Sequence, residues 1–221
     1  MALSLSGVWV PPAGERIEEG CARMARLLDG PEWSAFLGCA WYRPGGSKRA
    51  ALAKPVALEL IASGGAWKRS DFGAGEAELR LSLWNGRDGD EDAALMVTLQ
   101  EGVPLALQTF SLSMALEHGR ASWDAVVALA RAAAELLGGQ CAISSNELLE
   151  WARRSGLRHA NRAAYAVFWG RDTSGRNPAF AGLPKAQTRG PHALLAVDGA
   201  EGLVSLQPAR VQALVDALPE R

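Results

Sequence analysis

Hydrophobic and polar residues alternate most regularly between residues 79 and 84. The apolar positions are Leu79, Leu81 and Leu83, and the positions between and after them are Arg80, Ser82 and Trp84. This two-residue period predicts a half-buried β-strand. Asn85 and Gly86 tolerate positive φ, so they predict a turn after the strand. The apolar segment 93–99 then predicts a returning strand, and together the two strands predict a β-hairpin.

The tip of this predicted hairpin is strongly acidic. Four carboxylates lie within five residues: Asp88, Asp90, Glu91 and Asp92. The run lacks the bidentate Glu at position twelve of a calcium-binding loop, so a Ca²⁺ site is not predicted. Two interpretations remain open, a solvated turn and a recognition patch for a basic partner.

The same reading of periodicity predicts elements along the rest of the chain. Strands are predicted at 3–10, 33–42, 105–116, 141–144 and 163–169, with a second hairpin from 192–197 and 203–206. Helices are predicted at 14–28, 48–62, 123–137, 208–218, and from Ser145 or Asn146 to Arg154. The segment 171–191 has no apolar period, and loops of this length are usually functional.

These elements predict an α+β fold with a mostly antiparallel sheet and helices packed on one face. A chain of 221 residues is long enough to bury a core without disulfides or metals. No internal repeat or linker divides it, so we expect a single domain over residues 1–221.

Charge is distributed unevenly although the net charge is only −1. Residues 151–190 contain eight basic residues and one acidic residue, net +7, whereas the remainder has 15 basic and 23 acidic residues, net −8. Residues 71–101 alone have eight acidic and two basic residues, net −6. Nucleic-acid binding by the whole chain is therefore not expected, but a local basic patch is possible.

The sequence contains no recognisable catalytic or cofactor motif. The histidines, His118, His159 and His192, lack metal-ligand spacing. No serine lies in a Gly-x-Ser-x-Gly elbow, and the segment 45–48 lacks the frame of a P-loop. We therefore predict no catalytic residue, metal or cofactor.

The cysteines and the lengths of the apolar runs predict where in the cell the protein is located. Cys21, Cys39 and Cys141 are too few and too scattered for a disulfide framework, so we expect three free thiols and a cytoplasmic protein. No signal peptide is recognisable at the N-terminus. No apolar run of about 18 residues is present, so no membrane association is predicted.

Three short motifs carry a resemblance to a known family. They are Ser-Leu-Trp-Asn-Gly at 82–86; Trp41 with Pro-Gly-Gly-Ser-Lys at 44–48 and Ala-Ala-Leu at 50–52; and Val8-Trp9 with Arg16, Glu19 and Cys21. In this order they resemble the immunity protein 52 family. Members of that family are bacterial proteins that neutralise a polymorphic toxin, typically one with a restriction-endonuclease-like nuclease domain.

The resemblance implies a binding protein rather than an enzyme, with a cognate toxin as the protein partner, bound stoichiometrically. A nuclease carries a basic cleft for phosphates, so carboxylates are suited to occupy it. The predicted binding residues are Trp84, Asp88, Asp90, Glu91 and Asp92. Trp84 is either an exposed aromatic anchor or a buried residue of a sheet covered on both faces. The alternative function is a nucleic-acid-associated accessory protein that uses the basic segment 151–190.

Overall fold

The computed structural model describes residues 2–38, 40–43, 54–65, 67–87, 93–104, 106–115, 123–170, 192–197 and 205–218. The chain forms two compact units. Unit 1 comprises residues 1–7 and 116–221, and unit 2 comprises residues 8–115. The boundary falls within the first strand, β1 (Ala2–Trp9), after Gly7.

Unit 2 contains an antiparallel sheet with the strand order β2-β3-β4-β5. The strands are β2 (Arg69–Gly73), β3 (Glu76–Trp84), β4 (Ala93–Glu101) and β5 (Gln108–Ala115). Leu81 of β3 lies opposite Val97 of β4, which lies opposite Phe110 of β5. All three side chains are buried, so this face of the sheet forms the core of unit 2.

Three helices belong to unit 2: α1 (Ile17–Asp29), α2 (Pro31–Leu37) and α3 (Leu58–Ala62). Helix α1 buries residues at helical spacing, including Ile17, Cys21, Met24 and Leu28. It packs against β4, α2 and α3. Two acidic residues in its first turn and Arg26 in its last turn complement the helix dipole.

The strand predicted at 33–42 is wrong, because residues 31–37 form helix α2 and, of the described residues that follow, Tyr42 makes only an isolated β-bridge to Trp84. The aromatic content of this segment suggested a strand. Pro31 occupies the first helical turn, where its missing N–H costs nothing, and Gly38 follows the helix with φ 90°. Trp33 and Leu37 are both buried, at the spacing of one helical turn.

Unit 1 has the strand order β1-β6-β7-β8, with β6 (Gln140–Ser144), β7 (Ala166–Trp169) and β8 (His192–Leu195). Strand β7 is antiparallel to both β6 and β8. Its helices are α4 (Trp123–Leu137), α5 (Asn146–Arg154) and α6 (Pro208–Ala217), with a 3₁₀ turn at Ala160–Arg162. Helix α4 packs against β6 and β7.

The α+β class and the antiparallel pairing predicted from the sequence are confirmed. Strand β2 was not predicted, because all five of its residues are exposed and show no apolar period. The predicted loop 171–191 lies outside the described residues, as do residues 203–204 of the predicted second strand and residues 48–53 of the helix predicted at 48–62. The helix prediction is wrong over residues 54–57, since α3 begins only at Leu58, and residues 205–206 are not in a strand. The single-domain organisation stays a prediction.

Candidate partner-binding site

The predicted hairpin is present, and its two strands lead to the acidic segment. Strands β3 and β4 pair from Ala77 opposite Glu101 to Trp84 opposite Ala94. Of the predicted binding residues, Trp84 is half-buried. Asp88, Asp90, Glu91 and Asp92 lie outside the described residues. The geometry of the site is therefore that of its base, between Trp84 and Arg87 on one strand and Ala93 on the other.

One buried side chain binds the residues on both sides of the acidic segment. Asn85 is 5% exposed. Its Oδ1 accepts a hydrogen bond from the backbone N–H of Arg87 at 3.3 Å and another from that of Ala93 at 3.0 Å. The backbone N–H of Asn85 also donates to the Ala93 carbonyl at 3.0 Å. The residues that flank positions 88–92 are thus held close together by the same amide oxygen.

The other end of the Asn85 side chain ties this base to helix α2. Its Nδ2 donates to the carbonyl oxygen of Leu37 at 3.4 Å. Leu37 is the last residue of the helix, where carbonyl groups lack partners within the helix. The same hydrogen bond therefore satisfies a helix end and fixes the hairpin to the rest of unit 2.

Trp84 is held in place by Tyr42 and Arg87. The backbone of Trp84 exchanges two hydrogen bonds with that of Tyr42, at 2.7 and 2.9 Å, and the two rings lie 6.0 Å apart at 53°. The indole N–H donates to the carbonyl oxygen of Arg87 at 3.2 Å. Trp84 is neither fully exposed nor enclosed, and its role as an aromatic anchor stays a prediction.

Gly86 completes the base because no other residue fits its position. Its φ of 73° is unfavourable for residues with a side chain, and an added Cβ would lie 2.2 Å from Cε2 of Tyr42. Trp84, Asn85 and Gly86 of the Ser-Leu-Trp-Asn-Gly motif therefore each have a structural role. Sequence reasoning missed Tyr42 and the Asn85 bonds. Only the Asn-Gly pair signalled a turn.

The outer face of the unit 2 sheet is open beside this base. Ser82, Met96 and Ser111 lie opposite one another on β3, β4 and β5. Met96 is 55% exposed, and Ser111 is exposed beside it. An antiparallel sheet commonly packs one face on a core and leaves the other to solvent, as here. On this face short polar side chains surround an exposed methionine, a side chain that adapts readily to different contacts.

The basic segment is partly neutralised where the structure describes it. Arg154 pairs with Glu150 at 3.5 Å and Arg158 with Asp216 at 3.1 Å. Arg153 is exposed. The basic residues of the segment beyond Gly170 lie outside the described residues. The ion pairs reduce the local positive charge available to a phosphate backbone.

The described cysteines are unsuited to nucleophilic chemistry. Cys21 and Cys141 are free and buried. Burial raises the pKa of Cys21 to about 12, and burial also raises the pKa of Cys141. Both are therefore protonated thiols at neutral pH, whereas the thiolate is the reactive form. Over the part of the chain that the structure describes, no group of three His, Cys, Asp or Glu side chains could hold a metal ion.

Comparisons with known proteins leave the family open. No family model matches the chain, and no curated protein matches it. The resemblance to the immunity protein 52 family therefore stays a prediction. None of the described helices is both long and apolar enough to span a membrane.

Proposed function

We propose that this chain is an immunity protein that binds a cognate bacterial toxin and neutralises it by stoichiometric protein–protein contact. The toxin would be a nuclease with a basic surface, and binding would take place in the cytoplasm. Two buried free thiols suit a reducing compartment. The chain would act by binding alone, without a catalytic step of its own.

The observation that carries this proposal is the double hydrogen bond to Asn85 Oδ1 at the base of the acidic segment. Fixing the ends of a loop before binding reduces the conformational entropy that the complex must overcome. The four carboxylates at positions 88–92 would therefore be presented from a fixed base. Carboxylates that face a basic partner raise the association rate and exclude partners of the wrong charge.

The open face of the sheet extends the surface available to the same partner. It adjoins Trp84 and lies between β3 and β5. Its charged pair, Arg80 with Glu78 at 2.7 Å, is internally neutralised, so the face itself is close to neutral. The acidic edge suits a basic cleft of the partner, and the neutral face with its exposed methionine suits a flat surface beside that cleft. An interface of this kind needs both charged and apolar contacts.

The direct test is co-expression with the toxin domain encoded beside the gene for this chain. We expect growth to be restored and a complex of fixed stoichiometry to be seen by size-exclusion chromatography with light scattering. A neighbouring gene without a toxin domain, or a toxin that still kills in the presence of this chain, would contradict the proposal.

The binding residues are tested by neutralising the acidic segment in one variant: Asp88→Asn, Asp90→Asn, Glu91→Gln and Asp92→Asn. Association with the toxin should slow and lose most of its salt dependence, because long-range attraction is removed while the fold is kept. The matched control neutralises four exposed carboxylates of unit 1: Asp124→Asn, Glu135→Gln, Glu147→Gln and Glu150→Gln. Equal association rates for the two variants would place the interface elsewhere.

A further inference from the structure

Strand β2 presents an edge that no other described strand covers. It lies at one end of the unit 2 strand order and pairs on one side with β3. All five of its residues are exposed, including Phe72 at 61%. Within the described part of the chain, no backbone–backbone hydrogen bond joins its other side. A sheet edge of this kind offers backbone N–H and C=O groups to another strand.

The charges on β2 select which strand can pair with it. Arg69 and Asp71 are two residues apart, so both side chains lie on the same face of the strand, with Ser70 between them. In an antiparallel pair centred on Ser70, Arg69 of one strand lies opposite Asp71 of the other. On the other side of Ser70, Asp71 of the first strand lies opposite Arg69 of the second. The segment Arg-Ser-Asp is therefore complementary to itself.

We propose that β2 pairs antiparallel with β2 of a second copy of this chain, with the two Ser70 residues at the twofold axis. Both cross-strand pairs then join opposite charges, which stabilises adjacent strands. A twofold interface uses the same patch on both copies, as this arrangement does. The proposal is independent of toxin binding.

The charged side chains of β2 are accessible to a second copy. Arg69 lies 3.3 Å from Glu101, 3.6 Å from Asp71 and 3.7 Å from Glu18 within its own chain, and its side chain is still 38% exposed. The Asp71 side chain is 79% exposed and remains accessible.

The expected dimer is weak. Strand β2 is five residues long, and its pairing with β3 shifts register between Asp71 and Gly73. An interface this short buries well under the roughly 1,200 Å² of a stable complex. We therefore expect a monomer–dimer equilibrium that depends on protein concentration rather than an obligate dimer.

The test is sedimentation velocity of the full chain over a hundredfold concentration range that reaches about 1 mM, the range in which weak dimers are populated. Asp71→Arg places an arginine opposite Arg69, and Arg69→Asp places an aspartate opposite Asp71. Each variant alone should dimerise at least about tenfold more weakly than the wild type, because like charges then face each other. An equimolar mixture of the two variants should recover a dimer, since opposite charges face each other again.

Two measurements keep the test independent of folding. Glu135→Arg makes the same change in charge at an exposed position of helix α4 in unit 1, and it should leave the dimer unchanged. Circular dichroism should show wild-type spectra for Asp71→Arg, since that side chain is exposed. A wild-type chain that stays monomeric throughout the range, or an Asp71→Arg variant that dimerises as the wild type does, overturns the proposal.

Discussion

Strands β3 and β7 bury their side chains in different ways. In β3 the buried inner residues alternate with Arg80, Ser82 and Trp84, which are exposed or half-buried. In β7 all four residues are buried: Ala166, Val167, Phe168 and Trp169. Strand β7 is thus enclosed on both faces, while β3 leaves one face to solvent. Only a strand like β3 can offer side chains to a partner without first exposing the core.

The two burial patterns are visible in the sequences of the strands. Alternation predicts a strand with one solvated face, and a continuous apolar run predicts a strand covered on both faces. Helix α4 covers one face of β7, with the Arg131 guanidinium 5.6 Å from the Phe168 ring. On the outer face of unit 2, Met96 remains more than half exposed. Substitutions in β7 and on the outer face of unit 2 should therefore lower the free energy of unfolding by different amounts.

The largest expected difference is between Phe168→Ala and Met96→Ala. Loss of the fully buried phenyl ring should lower the free energy of unfolding by about 3–5 kcal/mol, because a cavity is left. Loss of the exposed methionine side chain should change it by less than about 0.5 kcal/mol. Urea unfolding of both variants measures the difference. Similar losses for the two would mean that the outer face of unit 2 is covered.

The next largest effect concerns the point where the open face ends, at Gly86. Gly75→Ala introduces a Cβ at φ 82° with no atom within 4 Å, so it should cost only the strain of the left-handed conformation, about 1–2 kcal/mol. Gly86→Ala has a similar φ but drives the Cβ into the Tyr42 ring. It should cost about 1–3 kcal/mol more. Equal thermal stabilities would show that Tyr42 moves aside freely.

Asn85→Ala should lower the free energy of unfolding less than Gly86→Ala does. Its effect should be local to the hairpin. It removes a buried acceptor shared by two backbone N–H groups, which should cost about 1–3 kcal/mol. Amide hydrogen exchange at Ala93 should become faster, because its N–H loses that partner. Ser82→Ala, on the open face of the same strand, should leave exchange at Ala93 unchanged. An unchanged rate in Asn85→Ala would contradict a fixed base for the acidic segment.

The smallest effect is a pH dependence at Glu78, at the far end of β3. The hydrogen bond from Gln100 Nε2, at 3.0 Å, is the main cause that lowers the pKa of this carboxyl, with a further contribution from Arg80. A lowered pKa stabilises the fold above the unfolded value of about 4.3, and this contribution is lost as the pH falls through the folded value. Glu78→Gln should therefore flatten the decrease in stability between about pH 5 and pH 3. A pH profile identical to that of the wild type would contradict this assignment.

Buried Glu15 should act in the opposite direction. Burial is the main cause that raises the pKa of this carboxyl, despite its ion pair with Arg23. Its contribution to stability is therefore largest at low pH and is lost as the pH rises through the folded value. In the Glu78→Gln variant the contribution of Glu78 is absent, so the opposing contribution of Glu15 to the free energy of unfolding should be clearest at low pH.

Much of the fold follows from short-range periodicity. The hairpin β3–β4, helix α1, helix α4 and helix α6 were predicted within a few residues of their observed ends. In each, the residues that define the pattern are close in sequence, so the pattern alone indicates which side is buried. Helix α2 was mispredicted because a segment of seven residues that contains Trp33 and Phe36 suits either state.

The candidate site likewise has some features that are local in sequence and others that depend on tertiary contacts. The acidic segment, the Asn-Gly turn and the alternation of β3 are local, and sequence reasoning identified all three. The hydrogen bond from Asn85 to Leu37, 48 residues away, and the packing of Tyr42 on Trp84 and Gly86 depend on tertiary contacts. Periodicity relates residues that are a few positions apart in sequence. The partners of Asn85 and Tyr42 are distant in sequence and become adjacent to them only after the chain folds. The amino-acid pattern therefore determined that an acidic hairpin exists, and the tertiary structure decided how its base is held.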